Sequence, residues 1–468
     1  KTDLYSAFIY KTSLMTREKG YSALMTPFTW MIISTLETLR KNLLKNKTLS
    51  SLVQLEYSAF EEATVPICTF IIHNQINHPF GEYIRLTDFK GAETQPEKLR
   101  EASIDTEVNF RYRRDSTTFT DVPGSPIAYW ASENVRRTFK ELDRLEKLAT
   151  PKVGLQTGDN NRFLRLWHEV NMYNIGFKYR SRDASKMSGK KWFPYNKGGS
   201  FRKWYGNQEY VVNWENGGKE LKEFERSVIR NPTYYFKEGI TWSFVSSSHF
   251  GVRYSPKGFL FDVGGSSLFP EEDLNIYLSY LTSKVAPYFI SFINPTLNFQ
   301  VGNIADLPLP KLGTDKKLLI NEIANESIQI AKLDWDSFET SWNFKKHPLI
   351  EFKTGNTLLK TFETWSQETN RRCKQLKNNE QKLNEIFINY FQLKDELSSE
   401  VDDNEITLRM ANRLQETKTF LSYFIGCVMG RYSLDIEGLV YAGGEFDESK
   451  YKTFKPNPNG LILLTDDH

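Results

Sequence analysis

Hydrophobic positions along the chain change period several times, and each change marks an element. Leu4, Phe8, Ile9 and Leu14 recur at helical spacing, residues 21–26 form a short apolar strand, and residues 30–44 read as a helix with a basic end at Arg40, Lys41 and Lys45. Two strands follow at 49–55 and 65–72. Helix, strand, helix, strand, strand over residues 1–80 predicts the later portion of a partial Rossmann-like α/β sheet whose first strands lie elsewhere. Residues 81–150 are charged and turn-rich, with a cationic cluster at Arg111, Arg113 and Arg114 and a helix expected at 132–148, and they read as a connector. Aromatic and β-branched runs at 210–214, 240–244 and 258–265, broken by glycines, make residues 151–310 a mixed α/β module closed by a helix at 274–289. Residues 311–445 are expected to be helical. Phe362, Trp365, Thr369, Cys373, Leu376, Leu383, Ile386, Tyr390 and Leu393 recur at about 3.5 residues, which predicts a long helix packed along partners at 406–414 and 419–429. Residues 446–468 form an acidic tail. Because Lys1 falls inside an amphipathic pattern and His468 follows closely on apolar residues 460–464, both ends read as cuts.

Charge changes this picture at one place. The chain of 468 residues carries 61 Lys and Arg against 58 Asp and Glu, a net +3, so a polyanion would have to be met by a local patch. Between Lys178 and Tyr205 stand nine Lys or Arg and a single acid, Asp183. Within that stretch residues 192–206 read W-F-P-Y-N-K-G-G-S-F-R-K-W-Y-G, where rings can stack on bases, cations can meet phosphates or guanine edges, and Gly198-Gly199 lets the backbone turn. Packed surface loops share this composition, and the sequence leaves that reading open. The DNA-contact candidates are Arg162, Arg165, Lys190, Lys191, Trp192, Arg202, Lys203, Trp204 and Arg253, of which most would grip phosphate and few would read bases. Three scattered cysteines, Cys68, Cys373 and Cys427, fit a reducing compartment, six histidines lack metal-binding spacing, and no apolar run reaches bilayer length. The expectation is a cytoplasmic protein with no metal and no membrane partner.

Several motifs in fixed order carry a family resemblance. Asp3-Leu4-Tyr5-x-x-Phe8, Met25-Thr26-Pro27-x-x-Trp30 and Tyr57-Ser58-Ala59-Phe60-Glu61-x-Ala63-Thr64-Val65-Pro66 resemble the post-catalytic motifs of adenine-N6 DNA methyltransferases. Asn294-Pro295-Thr296-Leu297-Asn298-Phe299 through Ile304, with Leu307-Pro308-Leu309-Pro310, is similar to the close of target recognition domains in type I and type IIG restriction-modification proteins. Together with T-G-D-N-x-R-F-L-R from Thr157, the 192–206 run and Gly430-Arg431-Tyr432-Ser433-Leu434-Asp435, these look like the PglX family of BREX phage-defence systems, over nearly the whole chain. The resemblance implies a base-flipping enzyme that uses S-adenosyl-L-methionine, with Asp3, Leu4 and Tyr5 on the cofactor wall and Phe60 against the flipped adenine. It also implies double-stranded DNA and other BREX proteins as partners.

The family's N-P-P-Y motif and glycine-rich cofactor loop are absent from this sequence; Asn231-Pro232-Thr233-Tyr234 lies far downstream and has Thr for the second Pro. The expected role is therefore a recognition-bearing part of a site-specific adenine methyltransferase, inactive alone. A non-catalytic DNA-binding specificity module and a protein-interaction scaffold built on the long helix remain as alternatives.

Overall fold

The structure is a computed structural model that describes residues 3–57, 66–76, 79–245, 249–294, 298–443 and 445–457. It is mixed α/β with several small sheets, and divides into two compact units: Lys1–Arg144 with Tyr288–Thr296 and Asp306–Pro310, and Leu145–Pro287 with Leu297–Ala305 and Lys311–His468.

The first unit is built on five strands, β1 (Tyr21–Pro27), β2 (Thr48–Gln54), β3 (Ile67–His73), β4 (Phe80–Arg85) and β5 (Arg111–Asp115), in the order β1-β3-β2-β4-β5. Helices α1 (Leu4–Met15), α2 (Glu37–Asn46), α3 (Thr94–Ile104) and α4 (Glu133–Glu141) accompany them. Period-two alternation sets the faces: Cys68, Phe70 and Ile72 of β3 point into the core with Trp30, Tyr83 and Tyr129. Tyr83 and Tyr129 stack at 5.1 Å, and the buried Tyr129 hydroxyl donates to Gln54 Oε1 at 2.8 Å. Residues 81–144 are thus no spacer. β4 pairs in parallel with β2 and antiparallel with β5, so the segment completes the sheet. The expected helix over 30–44 forms only from Glu37 onward; Phe28–Met31 and Ser34–Leu36 are single 3-10 turns, because the β-branched Ile32, Ile33 and Thr35 disfavour helix.

One buried cation closes this unit. The Arg40 guanidinium, fully buried on α2, donates to Trp30 O (2.9 Å), Ile33 O (2.7 Å), Ser125 O (3.0 Å) and Gly124 O (2.7 Å), with no ion-paired carboxylate among the described residues. Burial pulls its pKa down to about 10, partly offset by the charge of Glu37. Apolar side chains remain uncovered at the β1 edge of the sheet and on α1: Leu4 is 73% exposed, Met15 75%, Tyr21 65% and Met25 58%.

The second unit holds β6 (Ala149–Lys152), β7 (Leu164–Leu166), β8 (Trp192–Asn196), β9 (Tyr210–Asn213), β10 (Gly239–Trp242), β11 (Val252–Ser255), β12 (Leu260–Phe261) and β13 (Ser267–Pro270). They form two four-stranded sheets, β11-β10-β13-β6 and β12-β8-β9-β7. Phe193, Tyr195, Val212, Trp214, Leu260 and Phe261 make the core beside the latter. The long helix expected around 362–393 is present as Leu358–Tyr390. It packs with the helices Thr314–Asp336 and Leu274–Thr282, where Tyr280 meets Phe387 at 5.5 Å. Residues 406–412 are not helical, so Thr314–Asp336 takes the place of the expected partner at 406–414. The helix over 274–289 breaks at Ser283, and the one over 132–148 stops at Glu141.

Two stability predictions follow from these buried groups. Arg40→Met strands four carbonyls and should lower the urea-unfolding free energy of the first unit by about 3 kcal/mol or more. In the second unit His347 Nδ1 accepts the Leu349 N–H (3.1 Å) while Nε2 faces Thr419 Oγ1 (3.0 Å), and burial lowers its pKa to about 4. A depressed histidine stabilises the fold fully above its unfolded pKa of about 6.5 and loses that contribution as pH falls towards 4. The urea midpoint should therefore drop more steeply between those pH values in the wild type than in His347→Gln.

Candidate nucleic-acid interface

The stretch expected to touch DNA divides into a buried half and an outer half. Trp192 to Asn196 is β8, paired on one side with β9 and on the other with β12. At its end Lys197 reaches Asp262 Oδ2 at 2.8 Å, the same oxygen that accepts from Tyr195 Oη at 2.6 Å. The chain then turns at Gly198, φ +94°, where a Cβ would lie 2.6 Å from Gly264 O. Beyond the turn it runs along β11, with Trp204 N donating to Val252 O (2.9 Å) and Tyr254 N donating to Trp204 O (2.7 Å).

This places Arg202, Lys203, Trp204 and Arg253 inside the unit, which corrects their assignment as DNA contacts. Arg202 pairs with Asp334 Oδ2 at 2.5 Å, donates to Tyr205 O at 2.8 Å and lies over the Trp335 ring at 5.0 Å. Lys203 pairs with Glu380, whose other oxygen accepts from Trp204 Nε1 at 2.9 Å. Arg253 is 2% exposed, and its Nε and Nη1 have no partner among the described residues; burial first, and the Arg202 charge second, lower its pKa to about 10. Asp334 and Glu380 come from the two helices Thr314–Asp336 and Leu358–Tyr390. They stand 132 and 177 residues after their partners, which is why a local count of charges missed them.

The outer half stays open. β9 lies between β7 and β8, and brings Arg165 of β7 to 5.6 Å from the Trp192 indole, with Lys191 at 5.8 Å. Trp192 itself is 9% exposed, so its role is to carry the two cations. Arg165 donates to Asn161 O and Leu164 O, both at 2.6 Å, and Lys190 donates to Tyr173 O. None of these three cations pairs with a carboxylate among the described residues, so a phosphate can replace the carbonyl partners. Tyr173, 63% exposed beside Lys190, adds a ring that sequence reasoning passed over, since a lone tyrosine in a loop carries no pattern. Arg162 is set apart by its ion pair with Glu220 at 2.7 Å. Support comes from Trp214, whose N–H donates to Lys191 O at 2.9 Å and against whose ring Gly218, φ +77°, packs so closely that a Cβ would sit 2.4 Å away.

In the first unit, Asp3, Leu4 and Tyr5 share the opening turn of α1. Asp3 and Leu4 are exposed, and Tyr5 Oη lies 2.8 Å from Thr29 Oγ1. Phe60 lies outside the described residues. Nearby Tyr57 is 48% exposed and edge-on to Phe28 at 5.9 Å.

Glu380→Gln tests the buried half: it keeps an acceptor for Trp204 but leaves the Lys203 cation uncompensated. The second unit should lose roughly 3–5 kcal/mol, read as a fall in its thermal midpoint, whereas Lys191→Gln should leave that midpoint unchanged.

Known proteins supply the context for this geometry. The Eco57I restriction-modification methylase family matches residues 1–60. The chain is 39% identical over 485 residues to the adenine-specific methyltransferase PglX of Lacticaseibacillus casei (strain Zhang), covering 100% of this chain and 40% of that protein. It is 36% identical over 501 residues to the adenine-specific methyltransferase BrxX of Escherichia coli O9:H4 (strain HS), covering 100% and 39%. The chain thus spans about two-fifths of the length of these curated relatives. Among solved structures, the Type IIL restriction-modification enzyme MmeI in complex with DNA aligns with a TM-score of 0.51 at 10% identity, over 90% of this chain and 52% of that one, a likeness of fold alone. Along its whole length the chain is similar to these two adenine-specific methyltransferases, PglX and BrxX.

Proposed function

We propose that this chain is the part of an S-adenosyl-L-methionine-dependent adenine-N6 DNA methyltransferase that selects the DNA target, and that its second unit is the recognition module. One observation carries the reading: Arg165 and Lys191 lie over the Trp192 ring, Lys190 donates to Tyr173 O, and none of the three pairs with a carboxylate among the described residues, a cationic face that duplex phosphates can fill. The first unit then belongs to the catalytic side as the later strands of a Rossmann-like sheet. Its uncovered apolar residues on α1 and β1 suit a remainder of that sheet supplied by the larger protein.

The head of α1 fits the family's cofactor wall in its chemistry. The exposed Asp3 carboxylate can accept hydrogen bonds from a ribose or an ammonium, Leu4 offers an apolar surface, and Tyr5 is held by Thr29. When bound, S-adenosyl-L-methionine supplies the methyl group. Phe60 is assigned to the extruded adenine, where an aromatic face offsets lost stacking. In a BREX setting, methylation at one selected sequence would distinguish host from phage DNA, in concert with other BREX proteins.

Because no N-P-P-Y motif occurs in these 468 residues, the chain alone should bind duplex DNA without transferring methyl groups. Replacing Arg165, Lys190 and Lys191 together with Gln should weaken binding, reduce the slope of log affinity against log salt by about 2 to 3, and leave the thermal midpoint unchanged. Fluorescence anisotropy across a salt series reads both quantities; an unchanged slope refutes the assignment, and methyl transfer by this chain refutes its inactivity.

A further inference from the structure

The tetrad Asn231-Pro232-Thr233-Tyr234 lies too far downstream to be the methyltransferase motif, and in the second unit it does something else. Asn231 adopts the left-handed conformation, φ +51°, and its Nδ2 donates to Val153 O at 2.8 Å, which ties the turn to the end of β6. Pro232 opens a 3-10 turn in which Tyr234 N donates to Asn231 O at 3.0 Å. The turn sets the half-buried Tyr234 ring against Phe269 of β13 at 4.9 Å. Two lysines from different elements meet that one ring. Lys152 of β6, paired in the sheet with Ser267, brings its Nζ to 5.3 Å from the ring centroid, and Lys237, just beyond the turn, brings its own to 4.8 Å. The two ammoniums therefore stand within about 10 Å of one another. Neither has an ion pair or a hydrogen bond among the described residues. Glu238, the acid next to Lys237 in sequence, instead accepts from the Tyr254 hydroxyl.

A ring face orients an ammonium but takes none of its three N–H donors. Lys152 and Lys237 thus hold two positive charges close together, aligned by a packed tyrosine, with every donor still to be satisfied. An anionic oxygen satisfies both needs through charge-assisted hydrogen bonds. A duplex strand carries a phosphate about every 3.4 Å of helix axis, so cations at this separation can be met by one phosphate or by successive ones. We propose that Lys152 and Lys237, carried on the Tyr234 ring, form a further phosphodiester-binding site of the second unit, one that grips the duplex backbone and reads no base. This rests on the DNA-binding reading proposed above.

The test compares duplex affinity of the whole 468-residue chain, across a salt series, with Lys152→Gln/Lys237→Gln and with Lys152→Arg/Lys237→Arg. The Gln pair should reduce the slope of log affinity against log salt by about 1 to 2 at an unchanged thermal midpoint. The Arg pair keeps both charges and should keep the slope. Amine acetylation of the unmodified chain supplies a second reading should the Gln pair fail to fold: bound duplex should slow labelling of Lys152 and Lys237. Inorganic phosphate should compete no better than chloride at matched ionic strength. Three results would overturn this site alone while wild-type binding stands: a slope unchanged in the Gln pair, a slope lowered as much by the Arg pair, or labelling that duplex does not slow. Selective competition by inorganic phosphate would likewise overturn it, by assigning the lysines to a free oxyanion. A wild-type chain that binds no duplex at low salt would overturn this site together with the function on which it rests.

Discussion

The second unit depends on three carboxylates placed against a basic strand end and loop. A strand end and loop with Lys197, Arg202 and Lys203 cannot be taken out of water unless each charge is met. Asp262, Asp334 and Glu380 meet them one for one. The two helices that deliver Asp334 and Glu380 are thereby fixed against the sheet, and Trp204, sharing Glu380, is locked at the junction. What is left, Arg165 and Lys191 over the Trp192 ring and Lys190 beside Tyr173, meets no carboxylate among the described residues. Within residues 190–203, Lys197, Arg202 and Lys203 meet carboxylates and hold the fold, while Lys190 and Lys191 meet none among the described residues.

Arg40 does comparable work in the first unit with different chemistry. It forms no ion pair among the described residues, and instead meets the carbonyls of two irregular segments, 30–33 and 124–125. Those segments frame the core beneath β3. At the edge of the sheet, α1 and β1 leave leucine, methionine and tyrosine side chains uncovered.

Elements whose signal is local were legible from sequence: β1, β2 and β3, the long helix Leu358–Tyr390, and the strand at 210–213 all follow hydrophobic period. What was missed is non-local. β4 and β5 are short and charged, and become strands only because β2 offers an edge. The helix Thr314–Asp336 shows apolar spacing at Ile320, Ile323, Ala324, Ser327, Ile328 and Ala331, and could have been found by the same rule. Of the candidate interface, composition marked a basic region, but a count of basic residues cannot tell a cation facing water from one whose acid lies 177 residues away. Arg202 and Arg165 have the same side chain, and only the fold separates them.

The division of this region into a structural half and a binding half is the central claim, and hydrogen–deuterium exchange with and without duplex DNA tests it most directly. The account predicts that DNA slows exchange in residues 162–192, around Arg165, Tyr173 and Lys190, and leaves residues 199–207 as protected as before. Protection that appears at 199–207 while 162–192 stays unchanged would contradict it.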